Sequence, residues 1–235
     1  MRRTAPIILA HRGLHGTAKE NSLAAFRAAF AVKADGIECD VQKTEHGEYV
    51  IVHDPPSAVV GAKAGRAGIA SLEEMLGSLP AGAFLNLELK SDTLRPEDCA
   101  PIHDALHRRP APGPLLVSSF EPLLLPYFKT RGVPVGLLIG EEAAALGLAG
   151  MVRQISRLKP DYLNLPILMF EVLGKRRGLL LARTFRALGF SLAFWTVNRI
   201  EEVLLVRKLA QIIITDQVQS AQIALGQSSL DGRVL

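Results

Sequence analysis

Short apolar runs rich in β-branched residues alternate along the chain with longer segments whose apolar residues recur at helical spacing. Alternating strands and helices predict a parallel sheet with right-handed crossovers. Eight such units in 235 residues favour the α/β class and a single (β/α)8 TIM barrel over an open doubly wound sheet. The predicted barrel strands are PIILAH, GIECDVQKT, AFLNLELK, PLLVSSF, VPVGLLI, DYLNLP, FSLAFWTV and QIIITD.

Capping residues and turn signals place the other elements. The segment NSLAAFRAAFAVK predicts a helix capped by Asn21 or Ser22, and SLEEML predicts a helix capped by Ser71. Apolar spacing predicts a helix that starts at Glu121 and one long helix over residues 169–188. After the second barrel strand, the turn EHGE leads into a return strand, YVIVHD.

Composition and charge narrow the classes of function. A hydrophobic fraction of 49% with 21% charged residues is typical of a globular protein with a substantial core, and we expect residues 1–235 to form one domain. The net charge of +4 is too small to indicate nucleic-acid binding, and it suits an anionic small molecule. Cys39 and Cys99 form no metal-type pair, and no apolar stretch reaches membrane-spanning length, so we expect a reduced cytoplasmic protein.

Acidic residues occur at the ends of two neighbouring predicted strands, where a (β/α)8 barrel carries its functional side chains. Glu38 and Asp40 are two residues apart, so both face the same side of the strand, and Glu88 and Lys90 repeat this spacing. The three carboxylates offer hard oxygen ligands for one divalent cation, Mg²⁺ or Ca²⁺. The alternative is a metal-free network in which Arg12 and Lys90 neutralise the acids.

Two histidines flank this acidic cluster. His11 precedes Arg12 at the end of the first strand, and His53 closes the return strand. One imidazole can take a proton from a nucleophile while the other protonates a leaving oxygen. Arg12 and Lys90 supply fixed positive charge for a phosphoryl group, so the set indicates metal-assisted cleavage of a phosphodiester. The remaining histidines, His15 among them, are expected on loops or helix surfaces.

Taken together and in order, these motifs resemble the glycerophosphodiester phosphodiesterase family. The resemblance runs from Ile7 to Asp216 through HRG with EN, GIECDVQKT, VIVHD, LNLELK, SSF, FWTVN and IITD. It implies a TIM barrel that hydrolyses a small-molecule glycerophosphodiester, by metal-dependent two-histidine acid/base catalysis, to glycerol 3-phosphate and an alcohol.

The resemblance also implies a role for each matching residue. His11 and His53 would be the catalytic acid/base pair. The divalent metal would be bound by Glu38, Asp40 and Glu88. Phosphate binding would fall to Arg12 and Lys90, and metal-site support to Glu20. Trp195 would line the substrate pocket, the alternative being a place in the core.

The chain departs from the family where residues 54–70 replace a compact insertion that covers the glycerol end of the pocket. We expect this short Gly/Ala-rich loop to leave the pocket more open.

The basic segment GKRRG, residues 174–178, would allow contact with an anionic membrane and access to lysophospholipids, although charge runs are more often solvated. Either a monomer or a homo-oligomer is compatible with the sequence.

The sequence is also compatible in part with three rival functions. A lysophospholipase D or sphingomyelinase-D-like phosphodiesterase shares the histidine pair and the Glu-x-Asp motif, but the Glu88–Lys90 pair favours the bacterial glycerophosphodiester type. A metal-dependent amidohydrolase would need a second histidine where Gly13 stands. A non-catalytic phosphodiester binder would be expected to lack a catalytic histidine or a metal ligand.

Overall fold

Parallel strands close into a barrel in the computed structural model, which describes residues 5–55, 68–140 and 147–227. Pairing of β1 with both β2 and β9 closes the ring, and this confirms the predicted (β/α)8 barrel. The short β3 lies outside the ring and pairs with β2 in antiparallel fashion. The strands are β1 (Ile7–His11), β2 (Gly36–Lys43), β3 (Tyr49–Ile51), β4 (Phe84–Leu89), β5 (Leu115–Ser119), β6 (Val135–Leu138), β7 (Tyr162–Pro166), β8 (Ser191–Trp195) and β9 (Ile212–Thr215).

Helices follow the barrel strands, as expected for parallel strands that need a crossover connection. Short 3₁₀ turns precede two of them, at Pro96–Asp98 and Pro122–Leu124. The helices are α1 (Leu23–Ala31), α2 (Leu72–Ser78), α3 (Cys99–His107), α4 (Pro126–Lys129), α5 (Gly147–Leu158), α6 (Met169–Val172), α7 (Lys175–Ala187), α8 (Ile200–Val206) and α9 (Val218–Ala224). Within the described ranges, no helix is both long enough and apolar enough to cross a bilayer.

Two predicted helix starts are set by side-chain caps. Ser22, rather than Asn21, caps α1, and its hydroxyl accepts a hydrogen bond from the Ala25 amide at 3.2 Å. Ser71 forms a reciprocal capping box with Glu74, with hydrogen bonds of 2.8 and 3.1 Å. Each cap satisfies an amide that would otherwise lack a partner and stabilises its helix by about 1 kcal/mol.

Two predicted helices are wrong in extent. The long helix over residues 169–188 is broken at Leu173 and Gly174, where Gly174 adopts φ = 78° and separates α6 from α7. The helix expected from Glu121 becomes a 3₁₀ turn followed by the four-residue α4. Pro122 and Pro126 each lack an amide hydrogen and disfavour helical geometry in the preceding residue, so the segment is divided.

Side chains alternate between the barrel interior and the surrounding helix layer. Leu9, Phe84, Leu116 and Ile212 pack together in the lower interior of the barrel. Cys39 points the other way and packs in the large core between strands and helices, as the spacing predicts. Both cysteines are buried free thiols. The apolar floor leaves the carboxyl ends of the strands as the place where polar side chains gather.

Most of the loop over residues 54–70 lies outside the described residues, which omit positions 56–67.

Candidate active site

Strand register gathers the predicted site residues at the carboxyl end of the barrel. His11 on β1 lies directly opposite Glu38 on β2, and Asp40 lies opposite Glu88 on β4. Since residues two apart share one face of a strand, Glu38, Asp40 and Glu88 all project to the same side. The parallel ladder therefore builds this acidic cluster from two neighbouring strands.

The three carboxylates converge in a buried position. One oxygen from each of Glu38, Asp40 and Glu88 lies within 4.8 Å of the others, and Glu38 and Asp40 are only 3% and 1% exposed. Burial, followed by repulsion from Asp40 and Glu88, raises the pKa of Glu38 well above its usual value. Burial and the Asp40 charge likewise raise the pKa of Glu88 to about 7. Such a group could hold a metal ion, and its oxygen donors suit Mg²⁺ or Ca²⁺.

Two cations stand beside the carboxylates. The guanidinium Nε of Arg12 lies 3.4 Å from an Asp40 oxygen, and Lys90 Nζ lies 3.0 Å from Glu88 and 3.8 Å from Asp40. The Arg12 amide also donates to Glu38 at 3.1 Å. These contacts match the ion pairs of the metal-free alternative. However, the raised pKa values of Glu38 and Glu88 show that these cations do not fully offset the repulsion, and a bound divalent cation would favour the ionised form of all three carboxylates.

The turn after β1 brings the Arg12 amide to the acidic cluster. Arg12 and Gly13 both adopt left-handed backbone conformations, with φ of 53° and 78°. Positive φ is uncommon for a residue such as arginine, and it is maintained here by the surrounding contacts. A Cβ on Gly13 would lie 2.8–2.9 Å from atoms of Ala25 and Phe26, so only glycine fits against α1.

The Glu20–Asn21 pair supports the site through two separate contacts. Glu20 accepts hydrogen bonds from Arg12 Nη1 at 3.0 Å on both carboxylate oxygens. Glu20 therefore reaches the acidic cluster through Arg12. Asn21, next to it, donates to Asp40 at 2.9 Å and accepts from the Asp40 amide at 3.2 Å. Asn21 thus fixes the Asp40 carboxylate directly.

His11 is held by an aspartate from the far end of the chain. Its Nδ1 lies 2.8 Å from an Asp216 oxygen, and its Nε2 lies 4.0 Å from Glu38. His15 approaches the same Asp216 oxygen at 3.1 Å, and Asn198 donates to the other oxygen at 2.7 Å. Although burial opposes it, hydrogen bonding from His11 and Asn198 lowers the pKa of Asp216 strongly. An ionised Asp216 accepts the Nδ1 proton of His11 and leaves Nε2 facing the carboxylates.

His53 reaches the site from the antiparallel excursion after β2. The amide of the preceding residue, Val52, donates to the Asp40 carbonyl at 3.0 Å, so His53 emerges beside that strand. Its Nδ1 pairs with Asp54 at 2.9 Å, and its carbonyl accepts from Gln42 at 2.6 Å. The hydrogen bond from His53, with smaller contributions from Arg12 and Lys90, lowers the pKa of Asp54. The charges of Arg12 and Lys90 therefore act on Asp54, the partner of this histidine.

Trp195 forms one wall of a cleft that also includes Glu88 and Lys90. Its indole nitrogen donates to the Asn164 carbonyl at 3.1 Å, and its ring meets Phe120 edge-on at 5.7 Å. The side chain is only partly buried. Trp195 thus lines a cleft and also packs against the apolar interior of the barrel, and its contact with a substrate stays a prediction.

Sequence reasoning missed four residues of this network. Asp216 and Asn198 follow the last two barrel strands, so the rule that places functional residues at strand ends predicts them. Asn21 belongs to the EN motif, but the sequence predicted only a helix-capping role for it. His15 lies in the loop after β1, as expected, but its contact with Asp216 was not predicted, because that contact depends on closure of the barrel.

A cluster of acids, cations and oriented histidines at the carboxyl ends of the strands defines a TIM-barrel protein with its site in the usual place. The model of the Glycerophosphoryl diester phosphodiesterase family matches residues 11–108, which contain His11, His53 and all three clustered carboxylates. Structural and sequence relatives agree with this match. The family model, the curated relatives and the solved structures together support the glycerophosphoryl diester phosphodiesterase family for this chain.

Solved structures resemble nearly the whole chain. A glycerophosphodiester phosphodiesterase from Thermotoga maritima is 27% identical, with a TM-score of 0.73 over 91% of this chain and 96% of its own. An Oleispira antarctica phosphodiesterase, solved in complex with the product sn-glycerol-3-phosphate, shares the fold with a TM-score of 0.75 at 24% identity, over 94% of this chain and 97% of its own.

Sequence similarity to curated relatives is more local. A glycerophosphodiester phosphodiesterase from Caldanaerobacter subterraneus is 48% identical over 48 residues, which is 20% of this chain and 20% of that protein. The alignments with the first curated relatives thus span about a fifth of their length.

The close approach at Gly13 generates a stability prediction. Gly13→Ala should pay about 1–2 kcal/mol for a Cβ at positive φ, and about 1–3 kcal/mol more for overpacking against α1. Gly47→Ala is the matched control, because Gly47 has φ = 84° with open space around its Cβ position. Urea denaturation of both variants measures the difference, and equal losses of stability would show that the close approach does not matter.

Proposed function

We propose that this protein hydrolyses glycerophosphodiesters to glycerol 3-phosphate and an alcohol. The observation that carries the proposal is the placement of Arg12, Lys90 and the His11 ring around one buried group of three carboxylates. This arrangement brings an anion-binding element and a proton-transfer group to the same strand ends. The match of residues 11–108 to the family model, and similarity to relatives named for this activity, support the same reaction.

Glu38, Asp40 and Glu88 are the residues that would hold a divalent cation, Mg²⁺ or Ca²⁺. A bound cation supplies positive charge that stabilises developing negative charge on phosphoryl oxygens. The fit rests on the donor set itself, since three buried carboxylate groups that converge within 4.8 Å suit a hard cation.

Arg12 and Lys90 would bind the phosphodiester. Both side chains are largely buried, and their acidic neighbours keep them charged and fixed in place against the cost of burial. Glu20 holds the Arg12 guanidinium from its outer side and leaves other donors of that group for the substrate. A planar guanidinium and a compact ammonium on two strands suit the tetrahedral oxygens of a phosphodiester.

His11 and His53 would transfer the protons. Each ring is oriented through Nδ1 by an aspartate, His11 by Asp216 and His53 by Asp54. In each case Nε2 is left as the atom that takes or gives a proton. One histidine would take the proton from the attacking oxygen and the other would protonate the departing alcohol.

Two rival functions have less support. An amidohydrolase would need a histidine at position 13, where the left-handed backbone and the contact with α1 require Gly13. A binder without turnover would not need two histidines that are each paired with an aspartate. A single domain over residues 1–235 and a cytoplasmic location remain predictions.

The histidine assignment is tested by His11→Ala and His53→Ala. Each should reduce glycerol 3-phosphate release from glycerophosphocholine by about 10²–10⁴-fold, the usual contribution of general acid–base catalysis. His46→Ala, at an exposed turn, is the matched control and should keep full activity. Circular dichroism checks that each variant is folded. Full turnover in either active-site variant would remove that histidine from the mechanism.

Asp216 and Asp54 should contribute unequally to kcat. Asp216 is 26% exposed and joined to both His11 and Asn198, whereas Asp54 is 87% exposed and open to water. Asp216→Asn should therefore lower kcat at least about tenfold more than Asp54→Asn, because water competes with the exposed pair. The pH profile of kcat should shift in Asp216→Asn if the carboxylate sets the His11 tautomer. An unchanged profile together with unchanged kcat would contradict the positioning role.

Metal binding has a readout that does not depend on turnover. Saturating Mg²⁺ or Ca²⁺, at about 100 times its Kd, should raise the Tm of the wild type by about 5–10 °C. Glu88→Gln should lose most of this rise while the metal-free variant stays folded, because it removes one of three repelling charges. Glu73→Gln, an exposed change on α2, should behave like the wild type. A full rise in Glu88→Gln would exclude Glu88 as a ligand.

A further inference from the structure

A second group of potential metal ligands lies beside the acidic cluster and differs from it in chemistry. His11, His15 and Asp216 contribute one ligand atom each, and these atoms lie within 4.8 Å of one another. The Nδ1 of His11 and the Nε2 of His15 approach the same Asp216 oxygen, at 2.8 and 3.1 Å. This His–His–Asp group therefore offers two imidazoles and one carboxylate, whereas the acidic cluster offers three carboxylates.

The loop after β1 holds His15 close to Asp216. After the left-handed turn that follows the strand, the Leu14 amide donates to the Ala25 carbonyl in α1 at 2.9 Å. His15 is the next residue, so its ring is carried on a part of the loop that the main chain fixes. The side chains of the His–His–Asp group are 19%, 28% and 26% exposed, so an ion can reach them from solvent.

The carboxylate of this group is ionised and oriented. Asn198 donates to the second Asp216 oxygen at 2.7 Å, and its own side-chain oxygen accepts from the Asp216 amide at 2.9 Å. Although burial opposes it, hydrogen bonds from His11 and Asn198 lower the pKa of Asp216 well below its usual value. Outer partners of this kind orient the ligands of metal sites. Asp216 is thus in the form that binds a cation.

The donor set determines which ions the two sites prefer. Imidazole nitrogen suits Zn²⁺ and related transition metals, whereas carboxylate oxygens suit Mg²⁺ and Ca²⁺. Zinc bonds of about 2.0–2.2 Å in a tetrahedral site place neighbouring ligand atoms about 3.4 Å apart. The two imidazole nitrogens lie 2.8 and 3.1 Å from the Asp216 oxygen, so small outward shifts would admit the ion. The fourth position would be open to water.

From this geometry we propose that His11, His15 and Asp216 form a Zn²⁺ site separate from the acidic cluster, and that bound Zn²⁺ removes His11 from proton transfer. Without the ion, Nδ1 of His11 donates to Asp216 and Nε2 can accept a proton. Zn²⁺ on Nδ1 moves that proton to Nε2, which lies 4.0 Å from Glu38. The neutral ring keeps one proton, but Nε2 can no longer act as a base. This second part rests on the proposed function, whereas zinc binding does not.

Zinc binding is tested without turnover. Calorimetry on untagged protein saturated with Mg²⁺ should show one further equivalent of bound Zn²⁺, and Co²⁺ in its place should give the visible bands of a tetrahedral ion. His15→Ala should weaken Zn²⁺ affinity at least about tenfold and remove these bands, because a ligand is lost. Glu88→Gln should keep the affinity, since it changes only the acidic cluster. Absence of binding, equal affinity in His15→Ala and the wild type, or a loss confined to Glu88→Gln would overturn the proposal.

A second close histidine pair provides the matched control. His103 and His107 lie one turn apart on α3, with ring centroids separated by 4.5 Å, and could attract Zn²⁺ adventitiously. His107→Ala should leave the measured Zn²⁺ affinity unchanged, and circular dichroism checks that each variant is folded. Loss of binding in His107→Ala but not in His15→Ala would assign the zinc to α3 and overturn the proposal.

Turnover tests the second part of the proposal. With Mg²⁺ saturating, Zn²⁺ should lower kcat for glycerol 3-phosphate release by about 10²–10⁴-fold, as loss of a general base would. A Zn²⁺-selective chelator should restore it. Half-inhibition of His15→Ala, relative to its own zinc-free rate, should need at least about tenfold more Zn²⁺. Bound Zn²⁺ with undiminished kcat would overturn the blocking of His11. A protein that binds Zn²⁺ and hydrolyses no glycerophosphodiester would overturn the proposed function and leave the zinc site standing.

Discussion

Repulsion among three buried carboxylates is the constraint on which the rest of the site depends. Glu38, Asp40 and Glu88 are gathered by strand register, where water cannot fully screen them. Arg12 and Lys90 lie beside the carboxylates and reduce this repulsion through ion pairs. The same charge accounts for the left-handed turn that turns a backbone amide toward Glu38. The proposed phosphodiester site therefore depends on negative charges that the strand register of the barrel brings together, and on the cations that partly neutralise them.

The groups proposed for proton transfer and for substrate binding reach this cluster from different elements of the fold. His11 arrives on a barrel strand, His53 on the antiparallel excursion after β2, and the cleft beside Trp195 opens between β7 and the outer helices. Because these parts lie on separate elements, loops and helices can vary around a fixed acidic centre. This is the usual way in which one barrel accommodates many substrates.

Local and periodic features were predictable from the sequence. The two-residue spacing placed Glu38 and Asp40 on one face, and a serine followed by glutamate three residues later marked the start of α2. Features that need tertiary structure were not predictable. Apolar spacing runs unbroken past Gly174, so only its positive φ reveals the division between α6 and α7. The contacts of His15 and Asp216 exist only after the first and last strands pair, and the cleft depends on how the helix layer packs.

The pairing of His11 with Asp216 joins residues 205 positions apart, almost the full length of the described chain. During synthesis, His11 emerges with β1, whereas Asp216 emerges only after β9. A nascent or prematurely terminated chain therefore carries the histidine without the carboxylate that orients it. The pair of His11 and Asp216 can therefore form only after β9 has been synthesised and has closed the ring against β1.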